Sequence, residues 1–150
     1  MGTYNDANDD AKIFGTIVHL LLEKLPKTNS DNWQNILHNL LNWAEITVAE
    51  EMQTKAFKQA EKILKKKSFE FIFAPDTLAE VQFSTIVKSI GVLPILGVID
   101  RLVISENSVF IIDFKTNQEV PTSVDEIPLG ILKQWVLMLS QCKKYFQKKL

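Results

Sequence analysis

Val109-Phe110-Ile111-Ile112-Asp113-Phe114-Lys115-Thr116 is the stretch on which the fold turns. Residues of strand-forming character lead into an aspartate and a lysine two positions apart, and a strand sends alternate side chains to opposite faces. Asp113 and Lys115 are therefore expected to share a face with Val109 and Ile111, while Phe110, Ile112 and Phe114 cover the other. An acid and an amine then emerge side by side where a buried strand ends.

Just upstream, Glu106-Asn107 is a tight-turn signal, so the strand expected over 108–115 should form a hairpin with one over 93–105. That second strand contains Gly97-Val98-Ile99-Asp100-Arg101-Leu102, which sets a carboxylate among apolar neighbours. Burying an unpaired carboxylate costs several kcal/mol, so Asp100 calls for a cation, a basic partner or a metal. Arg101 is one residue along and points to the opposite face, poorly placed to neutralise it. A third strand is expected over 78–84, where Ala79-Glu80-Val81-Gln82-Phe83 carries another acid within an apolar run. Three acids and one lysine on adjacent strands are the parts of a divalent-metal phosphodiester site. Oxygen ligands suit Mg²⁺, which takes only a few carboxylates from a protein, and a nearby ammonium orients the nucleophile.

Before the strands the texture is helical. Phe14, Ile17, Val18, Leu21 and Leu25 recur at helical spacing over 11–25, and Pro26 ends the run. Ser30 or Asp31 is expected to cap a second helix striped by Trp33, Ile36, Leu37, Leu40 and Leu41. A third spans 48–67 with Met52, Phe57, Ala60, Ile63 and Leu64 inward, and the break before it is poorly marked. Phe69-Glu70-Phe71-Ile72-Phe73 reads as a helical turn or a short strand. Trp33, Trp43 and Trp135 fall at core-like positions, and 131–146 reads as a closing helix. The polar residues 1–10 are expected as a flexible arm ahead of a single domain over 11–150.

Composition narrows the classes. The 150 residues, 46% hydrophobic and 23% charged, suit one domain with a real core. Lys+Arg 17 against Asp+Glu 18 leaves a net charge of -1, so any basic surface is local, at Lys65-Lys66-Lys67, Lys143-Lys144 or Lys148-Lys149. These clusters read equally well as solvated helix ends or DNA-backbone contacts. The single Cys142 excludes an internal disulfide, a four-cysteine zinc site and a cysteine-held iron–sulfur cluster. Glycines at only 2, 15, 91, 97 and 130 leave no place for a nucleotide-binding loop, so no nucleotide cofactor is expected. No apolar run approaches the ~20 residues of a membrane span and the start is acidic, so a soluble, cytoplasmic protein with no membrane partner is expected.

Five stretches in order carry a resemblance: Gly15-Thr16-Ile17-Val18-His19 with Leu22-Glu23, Ala79-Glu80-Val81, Gly97-Val98-Ile99-Asp100-Arg101-Leu102, Ile112-Asp113-Phe114-Lys115-Thr116, and Gln134. Over about 14–145 the chain resembles the PD-(D/E)XK nuclease superfamily, and within it the RecB/AddA-type nuclease domain of bacterial helicase–nucleases that process double-strand breaks. The resemblance implies an α/β fold: a restriction-endonuclease-like core with a small mixed β-sheet flanked by helices and a helical N-terminal region. It implies that Asp100 and Asp113 bind the metal, that His19 completes the metal site, and that Lys115 positions or activates the attacking water. Glu80 matches an acid near the active site, and Gln134 a glutamine that braces substrate or water. The implied activity is exonuclease-like hydrolysis of DNA with Mg²⁺, or Mn²⁺ as a substitute, in repair and recombination. The implied partners are DNA and a helicase motor or AddB-like subunit, with this chain as the nuclease end of an AddA-like protein. Such domains place a tyrosine four positions after the glutamine, where this chain has Met138. That departure, the stop at Leu150 and the slightly acidic charge motivate the alternative, a catalytically inactive nuclease-like module that binds DNA or docks a helicase. A third expectation is a dimeric junction- or restriction-type nuclease on the same fold.

Overall fold

The computed structural model describes residues 4–86, 94–106, 108–116, 123 and 136. Apart from residue 136, the expected closing helix, with Gln134, Trp135, Met138 and Cys142, lies outside the described residues, as do the C-terminal lysine pairs. The chain divides into two compact units, one of residues 4–77 with 114–116, the other holding the strands within 78–113.

In the first unit, α1 runs Tyr4–Lys24. The arm expected over 1–10 is therefore corrected: Tyr4–Asp10 continue the helix. Extending a formed helix is far easier than nucleating one, and acids near its start favour the positive end of the dipole, so an apolar stripe is not needed there. The helix ends before Pro26, which opens a 3₁₀ turn at Leu25–Lys27. A second 3₁₀ turn, Ser30–Asn32, leads into α2, Trp33–Trp43. Asn29 caps the 3₁₀ turn, its side-chain oxygen accepting from the Asp31 N–H at 3.1 Å, and the N-cap of α2 is Asn32, not the expected Ser30 or Asp31.

The break before α3, Glu50–Leu64, is a left-handed C-cap. Glu45 adopts φ 54°. Its N–H donates to Asn42 O at 3.2 Å, and the Ile46 N–H reaches back to Leu41 O at 2.9 Å, which satisfies carbonyls at the end of α2. The segment after α3 resolves as a 3₁₀ helix, Lys67–Ile72, not a strand.

The core of this unit centres on α1. Ile17, Val18, Leu21, Leu22 and Leu25 are buried with Leu37 and Leu41 from α2 and Ala56, Phe57 and Ala60 from α3. Each large aliphatic side chain removed from water contributes roughly 1.5–3 kcal/mol before ordering costs. Trp33, Met52, Ile63 and Leu64 pack against this cluster as expected, and Phe73 joins them. Trp43 does not: at the end of α2 it is 76% exposed, a second correction.

The second unit is an antiparallel sheet of β1 (Leu78–Ile86), β2 (Pro94–Ile104) and β3 (Val109–Ile112), in that order. Where a mixed sheet is expected, the described strands are all antiparallel. The expected β2–β3 hairpin forms, closed by the Ser105 N–H donating to Ser108 O at 2.8 Å. Ile99 lies opposite Val81 and Leu102 opposite Ile111, giving the sheet its own apolar cluster. Gly97 lies opposite Phe83, whose ring occupies the space a Cβ would need.

Candidate metal centre

The register that pairs Ala79 with Arg101 and Val81 with Ile99 sets Glu80 opposite Asp100 on adjacent strands. A carboxylate oxygen of one lies within 4.8 Å of one of the other. Carboxylates that close repel unless a cation or a proton donor stands between them. A divalent cation held between them converts the repulsion into attraction. The donor set fits such an ion, because carboxylate oxygens are the ligands Mg²⁺ and Mn²⁺ favour.

Glu80 reaches its place by an unusual backbone. Its φ of 52° is left-handed, within a strand, where a residue bearing a Cβ costs roughly 1–2 kcal/mol. Asp100 is half-buried, whereas its neighbour Arg101 is 2% exposed; alternation along β2 separates them as expected.

Asp113 follows directly after the last rung of the β2–β3 ladder, Arg101 with Ile112. Its Oδ2 is out of contact with solvent. The close carboxylate pair is Glu80 with Asp100, and Asp113 does not complete a three-acid cluster at the same distance.

The expectation that Asp113, Phe114 and Lys115 continue the strand is corrected, because β3 ends at Ile112. The reason lies in the helical unit. The Phe114 carbonyl accepts a hydrogen bond from His19 Nε2 at 2.9 Å, and this side-chain partner takes the place of a ladder partner. The Phe114 ring stacks on Phe73, centroids 6.0 Å apart and planes within 9°, and meets His19 edge-on. Phe114 therefore packs against the helical core rather than covering a sheet face. Lys115, next in the chain, is exposed.

A carbonyl oxygen can only accept, so His19 Nε2 carries the proton of this bond. The backbone bond fixes the ring's orientation. His38, by contrast, is exposed on α2. Gln134 lies outside the described residues.

Two participants carried no role in the sequence reading. Thr116 seats its hydroxyl over Gly15, four residues before His19 on α1, and Phe114 supplies the carbonyl that orients His19. Both belong to strings already singled out, but only their charged members drew attention. In the Lys65–Lys67 cluster, Lys65 pairs with Glu61 at 2.7 Å, and the Lys66 ammonium lies 4.3 Å from the Phe69 ring centre. Among the described residues no helix is long and apolar enough to cross a membrane.

A family model of the PD-(D/E)XK nuclease superfamily matches residues 3–143. No curated protein and no solved structure matches the chain.

Proposed function

The chain belongs to the PD-(D/E)XK nuclease superfamily, and from that premise we propose that it is a Mg²⁺-dependent deoxyribonuclease of the RecB/AddA type, exonuclease-like, working in double-strand-break repair and recombination in the cytoplasm. The observation that carries this reading is the Glu80–Asp100 carboxylate pair on adjacent strands, within 4.8 Å, inside the region the family model matches.

In this reading Asp100 and Asp113, with Glu80 opposite, hold Mg²⁺ or Mn²⁺ through carboxylate oxygens, and His19 completes the donor set. When bound, the cation supplies positive charge against the anionic transition state and lowers the pKa of a coordinated water. Lys115, exposed on a segment anchored at Phe114, presents its ammonium to the attacking water and the phosphate oxygens. Gln134 braces the substrate. Water loses a proton to solvent as its oxygen bonds to phosphorus, the bond from phosphorus to the leaving nucleoside oxygen breaks, and that oxygen takes up a proton from solvent. A net charge of -1 gives the isolated chain weak attraction for DNA, so a helicase motor or AddB-like partner would deliver the strand.

Met138, at the position of the family tyrosine, keeps a second reading in view: a nuclease-like module that binds DNA or a helicase without cutting. Mn²⁺ titration followed by electron paramagnetic resonance separates the two. The nuclease reading expects saturable binding that Asp100→Ala weakens at least ~10-fold, as for loss of one charged ligand, with the melting temperature kept. No binding at millimolar Mn²⁺ would favour the inactive module.

A further inference from the structure

Gly15 and His19 stand four residues apart on α1 and so face the same side of it. Each receives one end of the short segment Phe114–Thr116. His19 Nε2 donates to Phe114 O at 2.9 Å. Thr116 Oγ1 occupies the space above Gly15, 2.9 Å from where a Cβ would stand, with the Thr116 Cβ 4.0 Å away. Lys115 lies between these two anchors with its side chain exposed. A backbone held at the residues on either side has little freedom to redirect the one between them.

We propose that Gly15 is a positioning residue for Lys115: the absent Cβ lets Thr116 seat on α1, and that seat, with the His19 bond, sets where the Lys115 ammonium is presented. The inference rests on the nuclease reading of Lys115. Gly15 acts only through Thr116 and touches neither substrate nor metal. A Cβ at position 15 meets Oγ1 closer than real Cβ contacts come, so the hydroxyl must turn away or the segment lift, and either gives up the seat that holds the chain beside Lys115. Helix propensity pulls the other way, since alanine favours a helix over glycine. A glycine with no such duty would therefore become a more stable and equally active alanine.

The test measures kcat and KM on linear DNA at saturating Mg²⁺, with melting temperatures, for Gly15→Ala, Thr116→Ala and the double variant. Gly15→Ala is expected to lose roughly 100-fold in kcat, the scale of a misplacement near 1 Å, with KM within about twofold. Adding Thr116→Ala removes Oγ1 and leaves the new Cβ facing the residue-116 Cβ at 4.0 Å, an ordinary contact. The double variant should return to within about threefold of Thr116→Ala alone, since the coupling between the two sites is steric and local. If Gly15→Ala does not fold, the double variant still decides, because it carries the same alanine without the clash. Wild-type kcat in Gly15→Ala, or a loss that Thr116→Ala does not repair, overturns the positioning role while wild-type cutting keeps the nuclease reading. A wild-type chain that neither cuts DNA nor binds Mn²⁺ overturns the nuclease reading and this inference with it.

Discussion

Glu80 carries two costs at once, a left-handed backbone within β1 and a carboxylate set opposite that of Asp100. Both make sense if the residue is there to hold a cation rather than to build a sheet. Glu80→Gly should then raise stability by about 1 kcal/mol in thermal melts, because glycine relieves the backbone, while weakening Mn²⁺ binding. A lower melting temperature in that variant would show that the left-handed turn is not a strain. At this scale the sequence was partly legible. The opposed faces of Asp100 and Arg101 follow from alternation alone. The strain at Glu80 does not, because nothing in Ala79-Glu80-Val81 marks a positive φ, and the destination of Phe114 depends on a histidine 95 residues away.

The elements show a similar division. The β2–β3 hairpin was readable from Glu106-Asn107, and the strand spans from their aliphatic runs, because local turn chemistry and period-2 patterning determine both. The end of α2 was not readable, because its left-handed cap carries Glu45 where glycine would announce the stop. Glu45→Gly should therefore raise stability by about 1 kcal/mol, measured by denaturant or thermal unfolding, with no change in metal binding. Destabilisation would mean that the glutamate side chain contributes more than the backbone loses. The N-terminal extension of α1 and the early end of β3 escaped for complementary reasons. The first needs no apolar stripe, and the second is imposed by a hydrogen bond to His19 rather than by the residues of the strand.

For the molecule as a whole, the family was legible because its chemistry needs acids and a lysine in a particular order, and that order survives without knowledge of packing. The bulk charge was the least informative feature. A net charge of -1 belongs both to an inert domain and to one whose carboxylates are offset by a bound divalent cation. Cleavage of end-labelled linear DNA by the purified chain, titrated with Mg²⁺ and then with EDTA, tests the central claim most directly. Degradation should follow Mg²⁺, stop in EDTA, and fall by at least ~100-fold in Asp113→Ala or Lys115→Ala, the scale of losing a group that acts on the transition state. Cutting that persists in EDTA, or that survives both substitutions, would contradict it.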